Sequence, residues 1–110
     1  MTMFDVITIG TATRDVFLQS SLFKVLKDPK HLKHLGMPTG EAQCFALGAK
    51  IQVERPVLTV GGGAANAAVT FARQGLRTAA VVGIGDDPNG EAALRELVKE
   101  KVRPLPIYDK

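Results

Sequence analysis

Apolar positions change their period several times along the chain, and each change predicts an element. Phe4–Ile9 is apolar and β-branched and closes at Gly10, and Thr78–Ile84 has the same character. Runs that are apolar on both faces predict buried strands. Val16–Leu18 predicts a further strand. Between Gln43 and Val60 the pattern is one of short strands: Cys44–Leu47, Lys50–Val53 and Pro56–Val60, separated by Gly48 and by Glu54-Arg55. Ile51 and Val53 alternate there with Lys50, Gln52 and Glu54, which predicts a sheet with one wet face. Ala64, Ala65, Ala67, Ala68 and Ala72 predict a slim helix, apolar all round, buried against a sheet and ended by Gly75 at its C′ position. Strand, helix and strand with short connections imply a parallel crossover into Thr78–Ile84. Asp87 and Pro88 suit the N-cap and first residue of a second helix. Leu94, Leu97 and Val98 mark its buried stripe, and Glu91 with Arg95 makes an i,i+4 pair. Val102–Ile107, with Pro104 and Pro106, is extended.

Ser20–Gly40 breaks this rhythm. Lys24, Lys27, Lys30 and Lys33 recur every three residues among His31, His34 and a weak apolar stripe of Leu22, Phe23, Leu26, Leu32 and Leu35. Asp28-Pro29 divides the segment, so it predicts two short helical turns. A basic amphipathic helix can dock on a membrane or an acidic partner; a solvated face is preferred. His31 and His34 stand at a metal-compatible spacing, but no Cys, Asp or Glu completes a ligand set in order, and no metal site is expected.

Composition narrows the class. The chain has 110 residues, 45% of them hydrophobic, and a net charge of +3. That suits one globular domain. The mild charge, without aromatic residues among the basic ones, does not point to nucleic acid. No apolar stretch approaches a membrane span, and the start lacks a signal peptide's regions. The one cysteine, Cys44, cannot form an internal disulfide, so a cytoplasmic protein is expected. Cys44 itself reads as a half-buried strand residue rather than a nucleophile.

The candidate chemistry lies at Gly61-Gly62-Gly63, after an apolar run and before the alanine helix. Glycines let the backbone turn tightly or a ligand come close. A flexible turn is the plain alternative; leading straight into a buried helix, the glycines are read as a ligand-binding turn. Asn66 falls in the first helical turn, where unpaired N–H groups and the positive dipole end face outward. Asp15 lies just past the first strand, where open α/β sheets bind ligands. Asp15 and Asn66 are therefore expected to converge.

Taken together, Asp5–Gly10, Asp15, Gly61–Ala68, Gly75 and Gly83-Ile84-Gly85-Asp86-Asp87 resemble the first signature of the ribokinase-like (PfkB) sugar kinases. The resemblance spans nearly the whole chain except Ser20–Gly40. It implies an α/β fold: a parallel sheet core, the N-terminal part of a doubly wound three-layer domain, with a small β-sheet lid. Residues 1–12 and 61–101 would be core; 13–60 and 102–110 would be lid strands, with the basic insertion at about 20–40. Substrate would be held by Asp15, Gly62, Gly63 and Asn66, with Thr13 beside them. A carboxylate accepts from two vicinal hydroxyls, and an amide donates and accepts at once. Ribokinases commonly carry Asn where this chain has Thr13 and Lys where it has Gly63, so the sugar need not be ribose.

The resemblance implies an ATP-dependent kinase, with Mg2+, acting on a sugar or nucleoside. Gly83-Ile84-Gly85-Asp86 spells the family's catalytic Gly-x-Gly-Asp, but that motif belongs to the C-terminal half of relatives, and Asp86 is read as a turn residue. No catalytic residue is assigned here, the Asn-x-x-Glu motif tied to magnesium is not found, and these residues alone are expected neither to bind ATP nor to transfer phosphate. A fragment of a longer kinase, pairing with other copies through its lid strands, is expected. Two other readings stand beside it. Gly61-x-Gly63-x-x-Asn66 approximates a dinucleotide-binding fingerprint, with Asp86 or Asp87 as the acidic residue. A non-catalytic binding or dimerisation module is the other.

Overall fold

The computed structural model describes residues 3–109. In chain order the elements are β1 (Val6–Thr11), β2 (Thr13–Phe17), β3 (Lys24–Lys27), α1 (Pro29–His34), β4 (Glu41–Cys44), β5 (Val57–Gly61), α2 (Gly63–Arg73), β6 (Thr78–Gly85), α3 (Pro88–Lys99) and β7 (Val102–Asp109). They divide into two compact units, one holding the chain up to Val16 and from Leu58 onward, the other Phe17–Val57.

The first unit is built on a parallel sheet of order β1-β6-β7. Thr8 lies opposite Ala80, which lies opposite Pro104, and this face carries the helices. Ala64, Ala65 and Ala68 of α2 join Ala80, Val82, Ile84, Leu97 and Val102 in one buried cluster. Small side chains are needed because the backbones come close. A Cβ added at Gly10 would lie 3.3 Å from that of Ala64. Thr8 Oγ1 donates to the Ala64 carbonyl at 2.9 Å. On α3, Gly90, Ala93 and Leu97 are buried, Asp87 accepts from the Gly90 N–H as N-cap, and Arg95 meets Glu91 at 3.6 Å. Val98, expected in the buried stripe, is 59% exposed. Gly75 follows the C-cap of α2 with φ +90°.

Three expectations are corrected here. Residues 102–109 are not lid: β7, with Pro104 and Pro106 in it, runs in the core sheet and pairs parallel with β6. The reason is the short β6-α3-β7 connection, which returns the chain parallel beside β6; residue 110 lies outside the described residues. The parallel crossover does not start from the strand before α2, because β5 pairs with β2 instead and β6 pairs with β1. Finally, Phe4–Ile9 is not buried on both faces. Ile7 and Ile9 are 53% and 78% exposed, and Ile107 on the same face is 62% exposed. Within this unit both helices pack on the opposite face.

Ion pairs fasten the ends of elements. Arg77, just before β6, grips Asp5, just before β1, with Nη2 donating to Oδ1 at 2.8 Å and Nε to Oδ2 at 3.1 Å. The Asp5 carboxyl is thereby held down to about 2, chiefly by these guanidinium hydrogen bonds and then by the Arg77 backbone N–H. Arg73 and Glu100 make a similar two-bond pair between α2 and the end of α3.

In the second unit β3 and β4 pair antiparallel, Lys27 opposite Glu41, and their side chains meet at 3.3 Å. Ser20–Gly40 is thus one strand and one short helix rather than two helical turns. Asp28 caps α1, Leu32 is its buried residue, and Gly40 packs against Pro29. Of the three strands expected between Cys44 and Val60, only the last forms, as β5; Cys44 ends β4 and is exposed. A turn at Leu47-Gly48, with Gly48 at φ +74°, interrupts the run. Beyond it the backbone is held to residues 19 and 20: Ser20 Oγ donates to the Gln52 carbonyl at 2.7 Å, and Glu54 N–H to that of Gln19 at 2.8 Å. The Lys50–Glu54 alternation therefore finds no partner strand. Among the described residues no helix is long and apolar enough to cross a membrane.

Candidate functional site

The carboxyl end of β1 runs through Ala12 into β2, whose side chains alternate in direction. Thr13 and Asp15 share one face, and Thr13 Oγ1 donates to Asp15 Oδ1 at 3.3 Å. Gly61, buried at the end of β5, lies against them. A Cβ there would sit 2.6 Å from Asp15 Oδ2 and 3.3 Å from Thr13 Oγ1, so a side chain at this position would push the carboxylate aside. Gly62 has φ +95°, and a Cβ on it would come within 2.5 Å of the Thr11 carbonyl oxygen. The glycine turn thus crosses directly over the end of β1. Gly63 opens α2 with free space around its α-carbon, and no side chain caps the helix start. Its first N–H groups are left for another acceptor.

The structure brings Thr13 and Asp15 to Gly61, with Gly62 beside the end of β1. Asn66 is exposed on the first turn of α2 and lines a cavity of about 530 Å³, shared with Arg14, Thr59, Thr70, Glu96 and Glu100 but not with Thr13 or Asp15. A second cavity, about 640 Å³, lies at the carboxyl ends of the parallel strands between Ala12, Gly83, Gly85, Tyr108 and Asp109. This is the edge at which open α/β sheets take ligands.

Sequence reasoning missed Arg14, Asn89, Tyr108 and Asp109. The last two were legible in principle: reading Val102 onward as a parallel strand would have put its end beside Gly85. Arg14 carried no pattern signal, since its partner Asn89 is distant in sequence. Among the described residues no group of three or more His, Cys, Asp or Glu could hold a metal. His31 instead lies 2.8 Å from the Asp28 carboxylate.

A family described as pfkB family carbohydrate kinase matches residues 37–109, about two thirds of the chain. No curated protein matches it in sequence. Among solved structures, a carbohydrate kinase from Agrobacterium tumefaciens superposes with a TM-score of 0.66 at 19% identity, over 94% of this chain and 27% of its own. A microbiome-derived acarbose kinase gives 0.60 at 16% identity, over 98% and 30%. The tetrameric inhibited form of phosphofructokinase-2 from Escherichia coli gives 0.55 at 20% identity, over 98% and 28%. These identities support the fold, and the chain spans under a third of the length of these structures.

Proposed function

Since the chain belongs to the pfkB family of carbohydrate kinases, we propose that it forms the substrate-binding side of an ATP-dependent kinase. The acceptor would be a hydroxyl of a sugar or nucleoside. The observation that carries this reading is the carboxylate of Asp15 held against Gly61 at the end of β1. An exposed carboxylate accepts hydrogen bonds from two neighbouring hydroxyls, and the adjoining glycines let a ring approach the backbone. Thr13 Oγ1 helps to orient the carboxylate by donating to it. Asn66 and Gly63 belong to the proposal through the uncapped start of α2, whose N–H groups suit an oxygen-rich ligand.

In such a reaction a base takes the hydroxyl proton, and ATP with Mg2+ supplies and screens the transferring phosphoryl group. The donor set described here contains no acidic cluster suited to that ion, and no step through it is derived from these residues. Asp86 lies in the bend before the Asp87 cap, and we assign it no part in proton transfer. These residues by themselves are expected not to transfer phosphate. The dinucleotide reading is disfavoured, because its glycine turn must follow a strand of the parallel sheet, whereas β5 lies outside that sheet and, among the described residues, pairs with β2 alone. Pairing of copies through lid strands remains part of the proposal.

Calorimetric titration of the chain with a panel of sugars and nucleosides tests it. Binding should be weakened about tenfold by Asp15→Asn, which keeps the shape and removes the charge. Equal binding by the variant, or binding of NADH in place of every sugar, would overturn the assignment.

A further inference from the structure

Arg14 stands between the two β2 residues proposed to face substrate, yet it takes no part in their contacts. Its side chain leaves the other face of the strand, and Nη1 donates to Asn89 Oδ1 at 2.8 Å. Asn89 is the second residue of α3, and the Asp87 carboxylate caps that turn by accepting from the Gly90 N–H at 2.8 Å. Gly90 is itself buried so close to the Gly85 carbonyl that no side chain fits there. The first turn of α3 is therefore fixed on the end of β6, and the Arg14 hydrogen bond fastens β2 to it. Among the described residues this is the one side-chain hydrogen bond joining β2 to another element.

β2 and β5 form a ribbon of two strands outside the parallel sheet, and a two-stranded ribbon is marginal without support. We infer that the Arg14–Asn89 hydrogen bond is the anchor that aims Thr13 and Asp15, and that Arg14 is a positioning residue of the substrate site. With Arg14 drawn to α3, alternation turns its two neighbours to the opposite face, beside Gly61. A guanidinium donor makes the bond stronger than one between neutral groups. The functional part of the inference rests on the reading of Asp15 as a substrate ligand; the anchor itself does not.

The test uses the whole 110-residue chain as wild type, Arg14→Ala, Asn89→Leu, the double variant and Asn89→Asp, which keeps the acceptor. Amide hydrogen exchange is followed beside sugar titration. Amides of Thr13–Phe17 should exchange about fivefold to tenfold faster in either single variant, as expected for loss of one charge-assisted bond. The double variant should go no further, Asn89→Asp should restore protection, and the amides of β6 should keep their rates. Sugar affinity should fall by the same factor. Unchanged exchange at Thr13–Phe17, or losses that add in the double variant, would overturn the anchor. Faster exchange in a chain that binds no sugar upholds the anchor and sinks the substrate reading of Asp15. Should Arg14→Ala unfold the chain, the contrast between Asn89→Leu and Asn89→Asp still decides.

Discussion

The three glycines before α2 have separate physical reasons. Gly61 makes room for the Asp15 carboxylate, and Gly62 turns the backbone with φ +95° across the Thr11 carbonyl. Gly63 has open space around it. Replacing Gly62 by Ala forces both a left-handed backbone and a collision with main chain. It should cost roughly 2–3 kcal/mol or more. Gly63→Ala adds helix propensity at an unobstructed position and should be neutral or stabilising, within about 1 kcal/mol. Urea denaturation of the two variants checks the contrast. Equal losses would mean that the turn is not fixed over β1 as described.

At the level of elements, packing depends on small residues and end fastenings. Ala68 is wholly buried in the cluster shared with Val82 and Leu97. Ala68→Leu should destabilise the chain by about 1–3 kcal/mol, because α2 cannot retreat without parting Thr8 from the Ala64 carbonyl. Thermal unfolding measures this. The Asp5–Arg77 pair makes a pH prediction. The Asp5 carboxyl falls from 3.8 to about 2 in the folded chain. A depressed folded value means that the pair's contribution is complete above about pH 4 and is lost as pH falls toward 2. Asp5→Asn should remove that part of the acid dependence, leaving a flatter stability curve between pH 2 and 4 in urea titrations. An unchanged slope would show that other carboxylates carry it.

For the molecule as a whole, the uncovered sheet face has the largest consequence. Ile7, Ile9, Leu105 and Ile107 present apolar surface beside one another. Exposed patches of this kind bind partners or associate. At micromolar concentration the chain should bind an apolar dye and sediment above its monomer mass of 11.7 kDa. Ile9→Glu should reduce both effects while leaving the melting temperature nearly unchanged, since Ile9 is 78% exposed and supports little of the core. A wild-type chain that is monomeric and dye-free would show that the face is covered in solution.

Local chemistry was legible in the sequence. The alanine helix with its Gly75 end, the Asp87-Pro88 helix start and the Glu91–Arg95 pair all depend on neighbours a few residues away. Such elements follow from backbone stereochemistry, capping and side-chain size. The sequence failed where partners are distant. Whether Lys50–Val53 is a strand depends on having a neighbour to bond, and Ser20 and Gln19 take up the backbone there first. Whether Val102–Asp109 is lid or core depends on the return path of α3. Only the tertiary structure set the Arg14–Asn89 bond, and only it separated Asn66 from Thr13 and Asp15 in the cavity lining. Alternation of side chains along β2 decides which residues face a site, and that direction is fixed by a contact spanning 75 residues of sequence.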